Sequence, residues 1–136
     1  MKTPGICLFA DDGREVARKA IQSHLLVLLT PVTFGGYSSQ LKKALDRMIS
    51  LVSPFFQKIG GETHHQPRYR RYPRLLGVGT LPAPDAESEA TFASLVARNA
   101  INLHAPAAAA VVFENGTADQ AAETIRRLLA AVEVAP

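Results

Sequence analysis

A run of apolar residues, Leu25-Leu26-Val27-Leu28-Leu29, passes through Thr30-Pro31-Val32-Thr33-Phe34-Gly35-Gly36 and soon opens into Leu41-Lys42-Lys43-Ala44-Leu45-Asp46-Arg47. A strand without polar alternation needs cover on both faces, as in a parallel sheet layered between helices. Pro31 has no N–H to give a ladder, so the strand is expected over residues 25–30, ending in a Pro/Gly turn. Residues 41, 44, 45, 48, 49 and 52 are then apolar at the spacing of one helix face, which predicts a return helix over 39–52. Ser38 or Ser39 can cap its start. In open α/β sheets the loop at the carboxyl end of a strand is where ligands sit.

The rest of the chain repeats this alternation. Asp11 or Asp12 offers a cap for a helix reaching Gln22, with Val16, Ala17, Ala20 and Ile21 on one face. Further strands are expected over 74–80 and 108–113, and a short β-prone run over 5–9. Asp85 can cap a helix carrying Phe92, Leu95, Val96, Ala100 and Leu103. Asn115-Gly116 signals a turn, and Thr117-Ala118-Asp119-Gln120 has the form of a capping box before a final helix. Residues 53–73 contain Pro54, Gly60, Gly61 and four arginine or lysine side chains (Lys58, Arg68, Arg70, Arg71). They read as a long irregular segment, of the kind that serves as a lid or an interface. Alternating helices and strands in 136 residues imply one α/β domain, spanning 1–136, with a parallel sheet and helices on both faces.

The turn and the helix after it resemble those of flavodoxin-like NAD(P)H-dependent FMN reductases. In that family a buried strand ends in Pro-x-aromatic-x-Gly, followed shortly by Leu-Lys-x-x-Leu-Asp-Arg. Here Pro31-Val32-Thr33-Phe34-Gly35 places the aromatic one position later, and Leu41 to Arg47 fits throughout. The resemblance implies a flavodoxin-like fold, FMN as cofactor and NAD(P)H as reductant. It implies flavin contact by Pro31, Val32, Thr33, Phe34, Gly35 and Gly36. A second contact is implied at Val78, Gly79 and Thr80, where Gly77 and Gly79 could equally serve helix–sheet packing.

In the flavodoxin-like strand order 2-1-3-4-5, the strand ending near Pro31 resembles the third. The family's first strand and its Ser/Thr/Gly-rich phosphate loop have no counterpart ahead of it. The expectation is an N-terminally shortened form whose third strand presents an open edge, a feature that invites association. The sequence therefore supports an NAD(P)H-dependent flavin oxidoreductase-like protein with impaired FMN binding and a homo-oligomeric state. The competing reading is a non-enzymatic oligomeric interaction protein built on the same fold. No residue pattern specifies the electron acceptor.

Other chemistries find less support. Cys7, the one cysteine, cannot form an internal disulfide or hold an iron–sulfur cluster. It reads as a small buried hydrophobe in a reducing, cytoplasmic setting. His64 and His65 are adjacent, so a strand would point them apart, and no third ligand follows at fixed spacing, leaving no metal site. No catalytic acid, base or nucleophile set is visible. A flavoenzyme needs none, because the flavin carries the redox chemistry. No apolar run reaches membrane-spanning length. Arg68-Tyr69-Arg70-Arg71-Tyr72-Pro73-Arg74 is the one basic concentration. Arginines bind phosphate, including that of a nicotinamide dinucleotide, and interleaved tyrosines suit single-stranded nucleic acid. With a net charge of only +3, a solvated or interface loop is the better reading and nucleic acid is disfavoured.

Overall fold

A computed structural model of the chain describes residues 9–114 and 117–134. The expectations for a strand over 5–9, for Cys7 and for the turn at Asn115-Gly116 fall wholly or mainly outside these residues. Phe9 itself is not in a strand.

Among the described residues three parallel strands form the centre: β1 (Leu25–Thr33), β5 (Arg74–Leu81) and β6 (Ala108–Glu114), with a short β2 (Gly36–Tyr37) on the outer side of β1. Four helices, α1 (Gly13–Gln22), α2 (Ser39–Asp46), α3 (Ala86–Asn102) and α4 (Ala118–Val134), connect or follow them. The parallel order β1-β5-β6 matches the third to fifth strands of the flavodoxin-like order, and the architecture is α/β as expected.

The core lies between the sheet and α3. Phe92 and Val96 of α3 are almost wholly buried with Leu28, Val32, Leu75 and Tyr37. Gly77 and Gly79 let α3 approach this closely. A Cβ on Gly77 would lie 2.4 Å from Val96 Cγ2, and one on Gly79 would lie 2.5 Å from Val32 Cγ2 and 3.3 Å from Phe92. Leu76 and Val78 point the opposite way and are buried too, so β5 is covered on both faces.

β1 differs from the expectation. Leu28, Thr30 and Val32 are buried, but Val27 is 48% and Leu29 69% exposed. The reason is position: α4 packs on β5 and β6, which leaves that face of the outer parallel strand bare among the described residues. Along its outer edge, among the described residues, β1 pairs only at Val32–Tyr37 and Thr33–Gly36, both with β2.

Two other departures concern local structure. The helix expected over 39–52 is α only to Asp46 and continues as a 3-10 turn, Arg47–Leu51. The change of pitch takes Ile49 out of the apolar stripe, and it is exposed. The segment 53–73 is not irregular throughout. It contains a hairpin, β3 (Phe56–Ile59) with β4 (Glu62–His65), closed by Gly60 and Gly61 at φ +57° and +87°. Positive φ at both central residues is the turn that suits strand twist, and glycine adopts it without steric cost.

The capping signals hold. Ser38 Oγ accepts from Leu41 N at 3.4 Å and Asp85 Oδ1 from Ser88 N at 3.1 Å. Thr117 and Gln120 exchange hydrogen bonds of 3.1 and 3.3 Å as a complete capping box. At α1 the acceptor is Asp11, whose Oδ1 takes Gly13 N at 3.0 Å, rather than the N-cap Asp12.

Candidate functional site

The parallel ladder between β1 and β5 ends at the pair Pro31–Thr80, and Thr80 in turn pairs with Phe113 of β6. The two loops expected to act together therefore lie side by side at the carboxyl edge of the sheet. Past Pro31 the chain does not turn away. It runs through Val32 and Thr33, reverses at Phe34-Gly35 and returns as β2.

That reversal is a two-residue hairpin with Phe34 at φ +50° and Gly35 at φ +73°. Both central residues are left-handed, the geometry that favours Asn-Gly. Gly35 is suited to it and has a second constraint, because a Cβ there would lie 2.6 Å from Thr91 Cγ2 of α3. Phe34 is not suited to it. A bulky L-residue at positive φ is an outlier that costs roughly 1–2 kcal/mol. Its ring gives nothing back through packing, since Phe34 is fully exposed at 101%. Strained backbone of this kind clusters at ligand clamps and switch regions.

The hairpin is anchored from beneath. Tyr37 is buried and meets Phe92 edge-on at 5.7 Å. Its hydroxyl accepts from Asn99 Nδ2 at 2.9 Å, and burial raises its pKa above the ordinary phenol value. Thr30 Oγ1 accepts from Ser38 N at 2.9 Å and donates to Pro31 O, which ties the end of β1 to the start of α2. The tip of the loop is thus mounted on a fixed base.

The nine expected contact residues divide by exposure. Pro31, Thr33, Phe34 and Thr80 are exposed. Val32, Gly35, Val78 and Gly79 are buried and Gly36 is half-buried. An isoalloxazine ring is flat, apolar in the middle and polar at its edge. The exposed set offers an unpartnered aromatic ring, a proline and two hydroxyls, so these residues fit that end of FMN. Gly79 is occupied with packing Val32 and Phe92. Acidic groups gather on the β6 side of the same edge. Glu114 and Glu89 of α3 are hydrogen-bonded together, and each negative charge discourages the other, so the Glu114 carboxyl is held above its usual pKa.

The remaining motifs are scattered. His64 is buried, with its ring nitrogens 3.1 Å from Asn102 Oδ1 and 3.0 Å from Glu62 Oε2, while Glu62 also binds Arg98 through both oxygens. Arg98 and His64 together pull the Glu62 carboxyl below its ordinary value. This network fastens the β3–β4 hairpin to α3. His65 Nδ1 donates to the Ser53 carbonyl. Thr91, which supports Gly35, carried no sequence signal, because a threonine within a helix has many roles. Among the described residues no helix is long and apolar enough to cross a membrane.

A family model described as NADPH-dependent FMN reductase matches residues 2–69, half of the 136-residue chain. The match includes the Phe34 hairpin and ends before Val78. No curated protein matches, nor does any solved structure.

Proposed function

The chain belongs to the NADPH-dependent FMN reductase family, and from that premise we propose that its carboxyl-edge hairpin and the neighbouring end of β5 form the flavin-contacting surface of an NAD(P)H-dependent FMN oxidoreductase. Bound FMN would supply the redox chemistry, taking hydride from the nicotinamide and releasing electrons to an acceptor. The protein supplies the surface. Phe34 presents its ring, Pro31 and Thr33 flank it, and Thr80 adds a hydroxyl one strand away. Val32, Gly35, Gly36, Val78 and Gly79 set the shape of that surface from below.

The observation that carries this reading is Phe34, an aromatic residue wholly exposed on a left-handed turn. The test is quenching of FMN fluorescence on titration with the purified protein, followed by NADPH oxidation in the presence of FMN. Saturable quenching that weakens about five- to tenfold in Phe34→Ala supports the reading. Equal affinity in the variant, or no saturation by about millimolar concentrations, rejects it.

A second copy of the chain is proposed to cover the outer edge of β1. The supporting feature is Val27 and Leu29, exposed on a strand that, among the described residues, is paired over only two residues on that side. A concentrated sample that remains monomeric by sedimentation counts against this. If it oligomerises without FMN contact, the non-enzymatic interaction protein becomes the better reading.

A further inference from the structure

The amino ends of the strands carry a cavity of about 820 Å³. It lies at the opposite edge of the sheet from Phe34. Arg74 opens β5 in register with Leu25, the first of seven register pairs that end at Pro31–Thr80, six steps or about 20 Å at strand rise. Ligands of open α/β sheets sit at the carboxyl edge, so this cavity is not the site described above.

Its walls come from three separate stretches: the end of α1 with His24, the segment 69–74, and the turn containing His104. Arg70, Arg71 and Arg74 line it, and among the described residues no aspartate or glutamate does. Several arginines elsewhere meet carboxylates: Arg18 with Glu15, Arg47 with Asp11, Arg98 with Glu62 and Arg126 with Glu123. Arg70 and Arg71 make no hydrogen bond or ion pair among the described residues.

The segment bearing them is nevertheless held in place. Tyr72 Oη accepts the backbone N–H groups of Arg68 and Tyr69. Arg68 donates to Ser50 O at 2.8 Å. Tyr69, Tyr72 and His104 form a chain of rings, with centroids 5.8 and 5.1 Å apart. His104 has the second left-handed backbone of a non-glycine residue among those described, at φ +51°, and its Nε2 is buried without a hydrogen-bond partner. Two guanidinium groups without a described partner, on a braced loop in a cavity with no described carboxylate and a strained wall, suit an anion. Guanidinium groups match phosphate by bidentate hydrogen bonding.

We propose that this cavity binds a phosphorylated small molecule, its phosphate held by Arg70 and Arg71. The volume is within the range of small-molecule sites and exceeds what inorganic phosphate alone requires. The proposal is independent of flavin contact at Phe34.

Isothermal titration at low salt tests it, with inorganic phosphate, adenosine monophosphate, NADP and uncharged adenosine as probes. Phosphate-bearing probes should bind and adenosine should not. Among them, the order of affinity distinguishes a bare phosphate site from one that also receives the ring. Arg70→Ala/Arg71→Ala should weaken binding about ten- to a hundredfold, and Arg70→Lys/Arg71→Lys should fall between, keeping charge but losing the fork. Both side chains are exposed, so circular dichroism should report an unchanged fold. Phe34→Ala should bind these probes as the parent does. Equal affinity in the double alanine variant, or no binding of any phosphate probe, overturns the proposal. So does a single-stranded oligonucleotide that binds more tightly than every small phosphate with a steep salt dependence, which assigns the patch to nucleic acid.

Discussion

Replacing Phe34 by asparagine should make the protein more stable. The native residue sits at φ +50° with its side chain fully exposed, so the change relieves backbone strain and removes no buried contact. The left-handed conformation costs a bulky L-residue roughly 1–2 kcal/mol, and asparagine much less. Asparagine followed by Gly35 is also the preferred pair for this turn. The expected gain is about 1 kcal/mol, or roughly 3–5 °C in Tm for a chain of this size. Thermal and urea unfolding followed by circular dichroism measure it. Phe34→Gly should gain less, because glycine gives back part of the benefit as unfolded-state entropy. Gly35→Ala, one residue on, should go the other way. Its Cβ would need φ +73° and a position 2.6 Å from Thr91 Cγ2, at a cost of roughly 1–3 kcal/mol. A fall in Tm for Phe34→Asn would refute the reasoning, since it would mean that the ring is packed or the turn unstrained. A rise in Tm accompanied by weaker FMN quenching would identify the strain as the cost of a functional residue.

Gly77→Ala should destabilise by roughly 1–3 kcal/mol in chemical denaturation, because the added methyl would meet Val96 at 2.4 Å in the closest part of the core. His104→Gly should raise stability by about 1 kcal/mol, as it relieves a left-handed histidine and removes a buried unsatisfied nitrogen at the expense of one ring contact. Arg47 holds Asp11 from its ordinary 3.8 down to about 2, chiefly by side-chain hydrogen bonding. A lowered carboxyl stabilises above its unfolded pKa and loses that contribution as pH falls through the folded one. The stability difference between parent and Arg47→Ala should therefore shrink between pH 3.8 and about 2 in acid titrations. Glu114 has the opposite sign, because Glu89 raises it. Glu89→Gln should be more stable than the parent at neutral pH, with the advantage vanishing below the ordinary carboxylate range.

Much of the framework was legible because it is written in local chemistry. The apolar run 25–29, the caps at Ser38 and Asp85, and the Thr117–Gln120 box each need only a few neighbouring residues to act. The Phe56–His65 hairpin was legible in principle. Gly60-Gly61 between two four-residue β-prone stretches is its signal, masked by the flanking proline, arginine and histidine residues.

The sequence by itself settled the alternation of helix and strand, the parallel sheet and the place of the loop after Pro31, because period, capping and turn preference act along the chain. Tertiary structure decided the rest. Only when α3 lies on the sheet do Gly77 and Gly79 become packing positions, and only the extent of α4 leaves Leu29 bare. Likewise Arg71 and His104, 33 residues apart by number, line one cavity only because β5 and β6 start side by side. Such proximities depend on which surfaces meet, and no local pattern in a single chain encodes that choice.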